Sequence, residues 1–124
     1  MNLLLDSYAF LELLQPSPKA DKVKELVESA DQVYTTVMNL YEVRYRVTQK
    51  SSRHTADAYI ASIKTTSHVL AINEETAMAA SDIKTKHPRM GAVDCVTLAA
   101  ARRVGLTVVT GDPDFPKDSD VIQL

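Results

Sequence analysis

The sequence predicts a three-layer α/β/α domain around a central, mainly parallel sheet of four to five strands. Three observations predict it. Short apolar strand-like runs alternate with helical stretches, the pattern of parallel strands joined by helical crossovers. The 124 residues suit a single domain, residues 1–124, whose only soft stretch is Gln15-Pro16-Ser17-Pro18. Hydrophobic residues make up 45% and charged residues 24%, an ordinary balance for a packed core that needs no disulfide.

The elements follow in order along the chain. Residues 2–5 (Asn2-Leu3-Leu4-Leu5) form a short apolar strand that stops at Asp6. That run is far too short for a signal peptide or a membrane span, so no membrane association is expected. Residues 7–14 form a helix ending before Pro16, because the residue preceding a proline is pushed out of the helical region. Residues 19–30 form an amphipathic helix with Ala20, Val23, Leu26, Val27 and Ala30 at helical spacing. Residues 32–36 are a strand, and 37–50 and 53–64 are two helices. In the first of these, Val37, Leu40, Tyr41 and Thr48 centre the apolar face by a count of 100° per residue. Residues 67–72 form a strand, and 75–86 a helix that stops before Pro88. Residues 92–103 form an alanine-rich helix, apolar nearly all round and therefore buried. Residues 106–110 form a strand and 120–124 a last one. The lone cysteine, Cys95, lies on the alanine-rich helix, where packing is its expected role; a single thiol fits a reducing cytoplasm.

Charge is uneven. Residues 1–43 carry seven acids and three bases, whereas 44–53 carry Arg44, Arg46, Lys50 and Arg53 with no acid. With a net charge of −2, the chain is not basic enough to bind nucleic acid over its whole surface, but local basic patches can meet phosphates.

Parallel sheets place their ligand crevice beyond the carboxyl ends of the strands. Asp6 directly follows the first strand, and Asp112 follows Val108-Val109-Thr110. Asp94 is the only charge before Arg102 in a helix that is otherwise apolar. Glu42 lies in the second turn of the helix that follows strand 32–36. Each acid alone has an ordinary structural role open to it: Asp6 as a helix cap, Asp112 and Asp114 as turn residues, Asp94 as a first-turn acid, Glu42 as a solvated border residue. Together they can face one edge of the sheet. Carboxylates about 6 Å apart repel by roughly 3 kcal/mol per pair at an effective dielectric near 20, so such a cluster takes up protons or binds cations. All-oxygen donors select hard divalent ions, Mg²⁺ or Mn²⁺, which can activate water against a phosphodiester.

Other chemistries lack support. His54, His68 and His87 are scattered without zinc-ligand spacing, and three glycines make no phosphate-binding loop. The absence of tryptophan leaves few stacking platforms.

The chain resembles PIN-domain nucleases, specifically the VapC-type toxins of toxin–antitoxin pairs. The markers are Leu4-Leu5-Asp6-Ser7-Tyr8, Asn39-Leu40-Tyr41-Glu42-Val43, Ala92-Val93-Asp94 running into Ala99-Ala100-Ala101, and Val109-Thr110-Gly111-Asp112-Pro113-Asp114-Phe115. Their order and spacing span essentially the whole chain. The resemblance implies Mg²⁺- or Mn²⁺-dependent hydrolysis of RNA in the cytoplasm, dimerisation, and inhibition by a cognate antitoxin that inserts into the site. It implies that Asp6, Glu42 and Asp94 hold the main metal while Asp112 helps hold a second metal or positions water. Asp114 is auxiliary, and Ser7, Asn39 and Thr110 are donors that orient the carboxylates. Arg44 and Arg46, which follow Glu42, are expected to bind substrate phosphates. One departure is Met90-Gly91, where many relatives carry a serine shortly before the third acid. Two alternatives remain: a PIN nuclease of RNA processing or decay, and an acidic binding module that cuts poorly.

Overall fold

The computed structural model describes residues 1–124. The elements run β1 (Asn2–Leu5), α1 (Ser7–Glu12), α2 (Pro18–Ser29), β2 (Gln32–Thr36), α3 (Val37–Lys50), α4 (Arg53–Thr66), β3 (His68–Leu70), α5 (Glu74–Lys86), α6 (Ala92–Arg103), β4 (Thr107–Thr110) and β5 (Val121–Gln123). Five strands form one sheet in the order β3-β2-β1-β4-β5, and every pairing is parallel.

β1 lies at the centre, paired with β2 on one side and β4 on the other. A central parallel strand is covered on both faces, which is why it reads as an unbroken Leu3-Leu4-Leu5 run. Leu3 and Leu5 pack with Phe10, Val23, Val43 and Ile63 beneath α1–α4. Leu4 points the other way, into Met90, Cys95, Leu98 and Val108 beneath α5 and α6. Alternation along one short strand thus supplies both cores of the three-layer sandwich. Truncating a wholly buried leucine such as Leu4 to alanine would cost about 2–5 kcal/mol.

The helices start where the sequence supplies caps. Asp6, Ser17, Thr36, Ser52 and Asn73 each accept a backbone N–H in the first turn of the helix they precede. At α2, Pro18 opens the helix, where its missing N–H costs nothing.

The apolar face of α3 differs from the predicted one. Val37 and Tyr41 are 42% and 59% exposed, while Asn39, Val43 and Val47 point inward. The reason is Asn39. A count of apolar residues treats asparagine as a surface residue, but here it is fully buried with every polar atom satisfied by hydrogen bonds. The inward face is therefore rotated toward Asn39, which carries Glu42 and Arg46 to the flank beside the crevice.

β1 and β4 are adjacent in space although the chain visits β2 and β3 between them. Strand order reverses at this point, and a crevice opens there beyond the carboxyl ends.

Candidate functional site

A cavity of about 1200 Å³ occupies that crevice, and Asp6, Glu42, Asp94 and Asp112 all line it. Four segments distant in sequence deliver them: the end of β1, the second turn of α3, the first turn of α6 and the loop after β4.

Asp6 is 1% exposed. Its Oδ1 accepts the Ala9 N–H at 2.9 Å, so it caps α1 while facing the cavity. The expected helix cap is thus made by a carboxyl group that also lines the cavity. Burial pushes its pKa up to about 7; hydrogen bonds from Thr110 and Ala9 oppose the rise, and the charges of Asp112 and Glu42 add to it. Asp94 is half-buried, and its pKa is also raised to about 7, first by burial, then by a hydrogen bond with Asp112 and by the neighbouring carboxylates. The cluster thus relieves its repulsion by holding protons where no cation is near.

The predicted supporting residues take distinct places. The buried Thr110 hydroxyl accepts the Asp112 N–H at 3.0 Å, and it is the hydroxyl that holds the Asp6 pKa down against burial. Asn39 touches no carboxylate. Its Nδ2 donates to Ser7 Oγ at 3.1 Å and to Thr97 Oγ1 at 3.0 Å, and its Oδ1 accepts the Thr36 hydroxyl at 2.8 Å. Ser7 adjoins Asp6, Asn39 precedes Glu42 by one turn, and Thr97 follows Asp94 by one turn. A buried polar knot thereby fixes α1, α3 and α6 against one another at the level of the acids. Sequence reasoning missed Thr97; its signal was a lone hydroxyl within the apolar run of α6. Asp114 is exposed and lies outside the cavity lining; its backbone N–H, not its carboxylate, serves the site by donating to Asp112 Oδ1 at 2.9 Å.

The two arginines separate. Arg46 lines the cavity and pairs with Glu42 at 3.2 Å. Arg44 is absent from the lining and is bound to Asp57 of α4 at 2.7 Å. Lys50, one turn beyond Arg46, also lines the cavity. At Gly91, the N-cap of α6 without a side-chain cap bond, an added Cβ would stand 3.6 Å from Asp94 Oδ2, an ordinary contact. A serine is thus sterically allowed beside the third acid. Gly111, by contrast, has no room for a side chain, because the Tyr8 ring fills the space a Cβ would need.

The donor chemistry of the cluster is carboxylate oxygen only, as a hard divalent cation requires. No three acidic, histidine or cysteine side chains form a ready-made ligand set. The three histidines all lie outside the cavity.

The fold is an α/β sandwich with carboxylates converging on its strand-order reversal. The PIN domain family model matches residues 3–119, and the chain belongs to that family. No curated protein matches the sequence significantly. Among solved structures, the fold is similar to a chain of a toxin–antitoxin complex from Klebsiella pneumoniae, at 16% identity over 98% of this chain and 96% of that one, with a TM-score of 0.77. It is similar to VapBC from Salmonella typhimurium bound to DNA, at 18% identity over 100% and 97% of the two chains, TM-score 0.76. It is also similar to VapC20 from Mycobacterium tuberculosis, described as a sarcin–ricin loop cleaving toxin, at 17% identity over 94% and 91%, TM-score 0.75. At such identities the likeness is one of fold.

Proposed function

We propose that this protein is a divalent-metal-dependent endoribonuclease and the toxin of a toxin–antitoxin pair. The observation that carries the reading is the set of four carboxylates in one cavity, two of them with pKa values raised to about 7. Such a site is under-neutralised and gains by taking a cation. The PIN family and the toxin chains of similar fold support the same direction.

Asp6, Glu42 and Asp94 are the residues to hold the main Mg²⁺ or Mn²⁺, with Asp112 at a second ion or a water. When bound, the ion supplies Lewis acidity to the scissile phosphate and an activated water. The chain's own groups do the rest. The Ala9 N–H fixes Asp6, and the Asp114 N–H holds one Asp112 oxygen. A cation held there would take the place of the protons that the raised pKa values of Asp6 and Asp94 favour. On the α3 wall, Arg46 and Lys50 are the cations that face an incoming backbone.

An antitoxin fits the same cavity. A basic side chain from it can pair with the acids, while an apolar helix covers Tyr8, Leu11 and Leu14, which line the cavity; Leu14 is 45% exposed. Homodimerisation and a cytoplasmic location belong to this reading; no helix is long and apolar enough to cross a membrane.

The test is cleavage of RNA by purified protein in Mn²⁺, with EDTA and Asp6→Asn controls, alongside growth after induction with and without the open reading frame upstream. Metal-dependent cleavage and growth arrest relieved by that partner are expected. A protein that is harmless at high expression and leaves RNA intact in Mn²⁺ is instead an acidic binding module, a reading favoured by the lack of a ready-made ligand triad.

A further inference from the structure

Among Asp6, Glu42, Asp94 and Asp112, Glu42 alone has an ion-pair partner within the chain, and that partner is Arg46. The contact is the loosest arginine–carboxylate pair in the molecule. Arg46 Nη2 stands 3.2 Å from Glu42 Oε2, whereas Arg44–Asp57, Arg102–Asp120 and Arg103–Glu75 close to 2.7, 2.7 and 2.6 Å. The two ends of the pair also differ in freedom. The Glu42 side chain is 16% exposed and the Arg46 side chain 53% exposed, and both line the cavity. A loose pair with one buried and one exposed end breaks by movement of the exposed end.

We propose that Arg46 is a transferable counter-ion: it holds Glu42 while no divalent cation is bound and passes to a phosphate of the RNA once the cation takes Glu42. The proposal rests on the metal-dependent ribonuclease reading above. Its logic is charge matching. A divalent ion drawn to Glu42 repels the guanidinium from the same carboxylate. The released guanidinium is planar, always charged and suited to a phosphate in bidentate geometry. Its stem needs no rearrangement of α3, because Arg46 and Glu42 already share that helix four residues apart. Arg46 and Lys50 are the only cations lining the cavity, so the handover turns this wall toward phosphate when the site is loaded. Arg44, tied to Asp57 across α3 and α4, takes no part.

The proposal makes Arg46 a competitor of the metal and a helper of the substrate, two effects of opposite sign. Arg46→Gln is therefore measured twice. Calorimetric titration of chelator-stripped protein with Mn²⁺ is expected to show several-fold tighter binding than wild type, with Arg46→Lys returning toward wild type. Binding of a short fluorescent RNA is then read by stopped-flow anisotropy before cleavage develops, across a salt series, in Mn²⁺ and in EDTA. The slope of log affinity on log salt is expected to fall by about 0.7 in Arg46→Gln, the value of one single-strand phosphate contact, in Mn²⁺ only. Mn²⁺ affinity that is unchanged or weaker in Arg46→Gln overturns the proposal, because Arg46 then merely steadies Glu42. An equal loss of slope in EDTA overturns the handover, because the phosphate contact is then permanent. Wild type and Asp94→Asn that both fail to bind Mn²⁺ would sink the metal reading itself, a result distinct from either. Thermal melts in EDTA confirm that the variants fold.

Discussion

The molecule carries two clusters of acids, and they behave in opposite ways. At the C-terminal end of α6, Arg102 binds Asp120 at 2.7 Å and Asp118 at 2.8 Å. There the guanidinium hydrogen bond holds the Asp120 carboxyl below the usual range. At the N-terminal end of the same helix, Asp94 meets Asp6 and Asp112 with no arginine among them, and its pKa rises to about 7. The helix dipole favours this polarity, acid at one end and base at the other, but does not explain the contrast. The difference is the supply of counter-charge. The chain gives both outer acids a guanidinium partner and gives Asp6, Asp94 and Asp112 none.

The largest break in this comparison comes from removing an acid of the crevice. Asp94→Asn should lower metal-dependent RNA cleavage by roughly a hundredfold or more, the loss of a cation ligand at the transition state. The same variant should melt higher than wild type in EDTA, since like-charge repulsion drops. Steady-state cleavage and calorimetric melting check the two signs; an active but destabilised variant would make Asp94 a structural acid. Chelation of wild type should abolish cleavage as fully as the substitution does, and added Mn²⁺ should restore it.

The pH dependence sharpens the contrast without mutation. Asp6 and Asp94 have higher pKa values folded than unfolded, so folding takes up protons. Their favourable contribution is complete below the ordinary value near 3.8 and drains away as pH rises through about 7. Asp120 has the opposite sign: its contribution is present above the ordinary value and is lost as pH falls through its lowered pKa. Metal-free protein should therefore melt higher at pH 5 than at pH 8. Saturating Mn²⁺ should reverse that order, because bound cation takes the place of the protons. Denaturation curves across pH, with and without metal, check both statements.

Removing the outer arginine should do much less. Arg102→Ala exchanges a part-exposed pair of contacts for solvent and should cost about 1 kcal/mol, with cleavage unchanged. The smallest effect is expected at Gly91→Ser. The serine hydroxyl would cap α6 and stand beside Asp94, raising stability by a few tenths of a kcal/mol relative to glycine. Fine-stepped urea titration detects a change of that size; lost cleavage would mean that the cavity does not tolerate the hydroxyl.

The same contrast explains what could be read in advance. Strand runs ending in acids are local signals, and the crevice rule turned Asp6 and Asp112 into neighbours although β2 and β3 lie between them in the chain. Element boundaries were legible because caps and prolines mark them locally. The inward face of α3 was not, because Asn39 is buried by Ser7 and Thr97, partners 32 and 58 residues away. Arg46 stood at the right spacing to pair with Glu42, but only the rotation of α3 decided that it, and not Arg44, faces the cavity. Asp114 looked like an acid of the site because residue type is visible in sequence, while its contribution is a backbone N–H.

The sheet order also decides when the crevice can come into being. β1 ends at Leu5, but its neighbour β4 does not begin until Thr107. A chain made from its N-terminus thus exposes Asp6 and Glu42 long before Asp94 and Asp112 exist. Until then Leu4 and Leu5 lack one flanking strand, Asn39 lacks Thr97, and the cavity has no far wall. The four carboxylates can therefore share one cavity only after α6 and β4 have been made and have docked on β1. A partner that needs all four acids can bind the finished domain but not a shorter nascent chain.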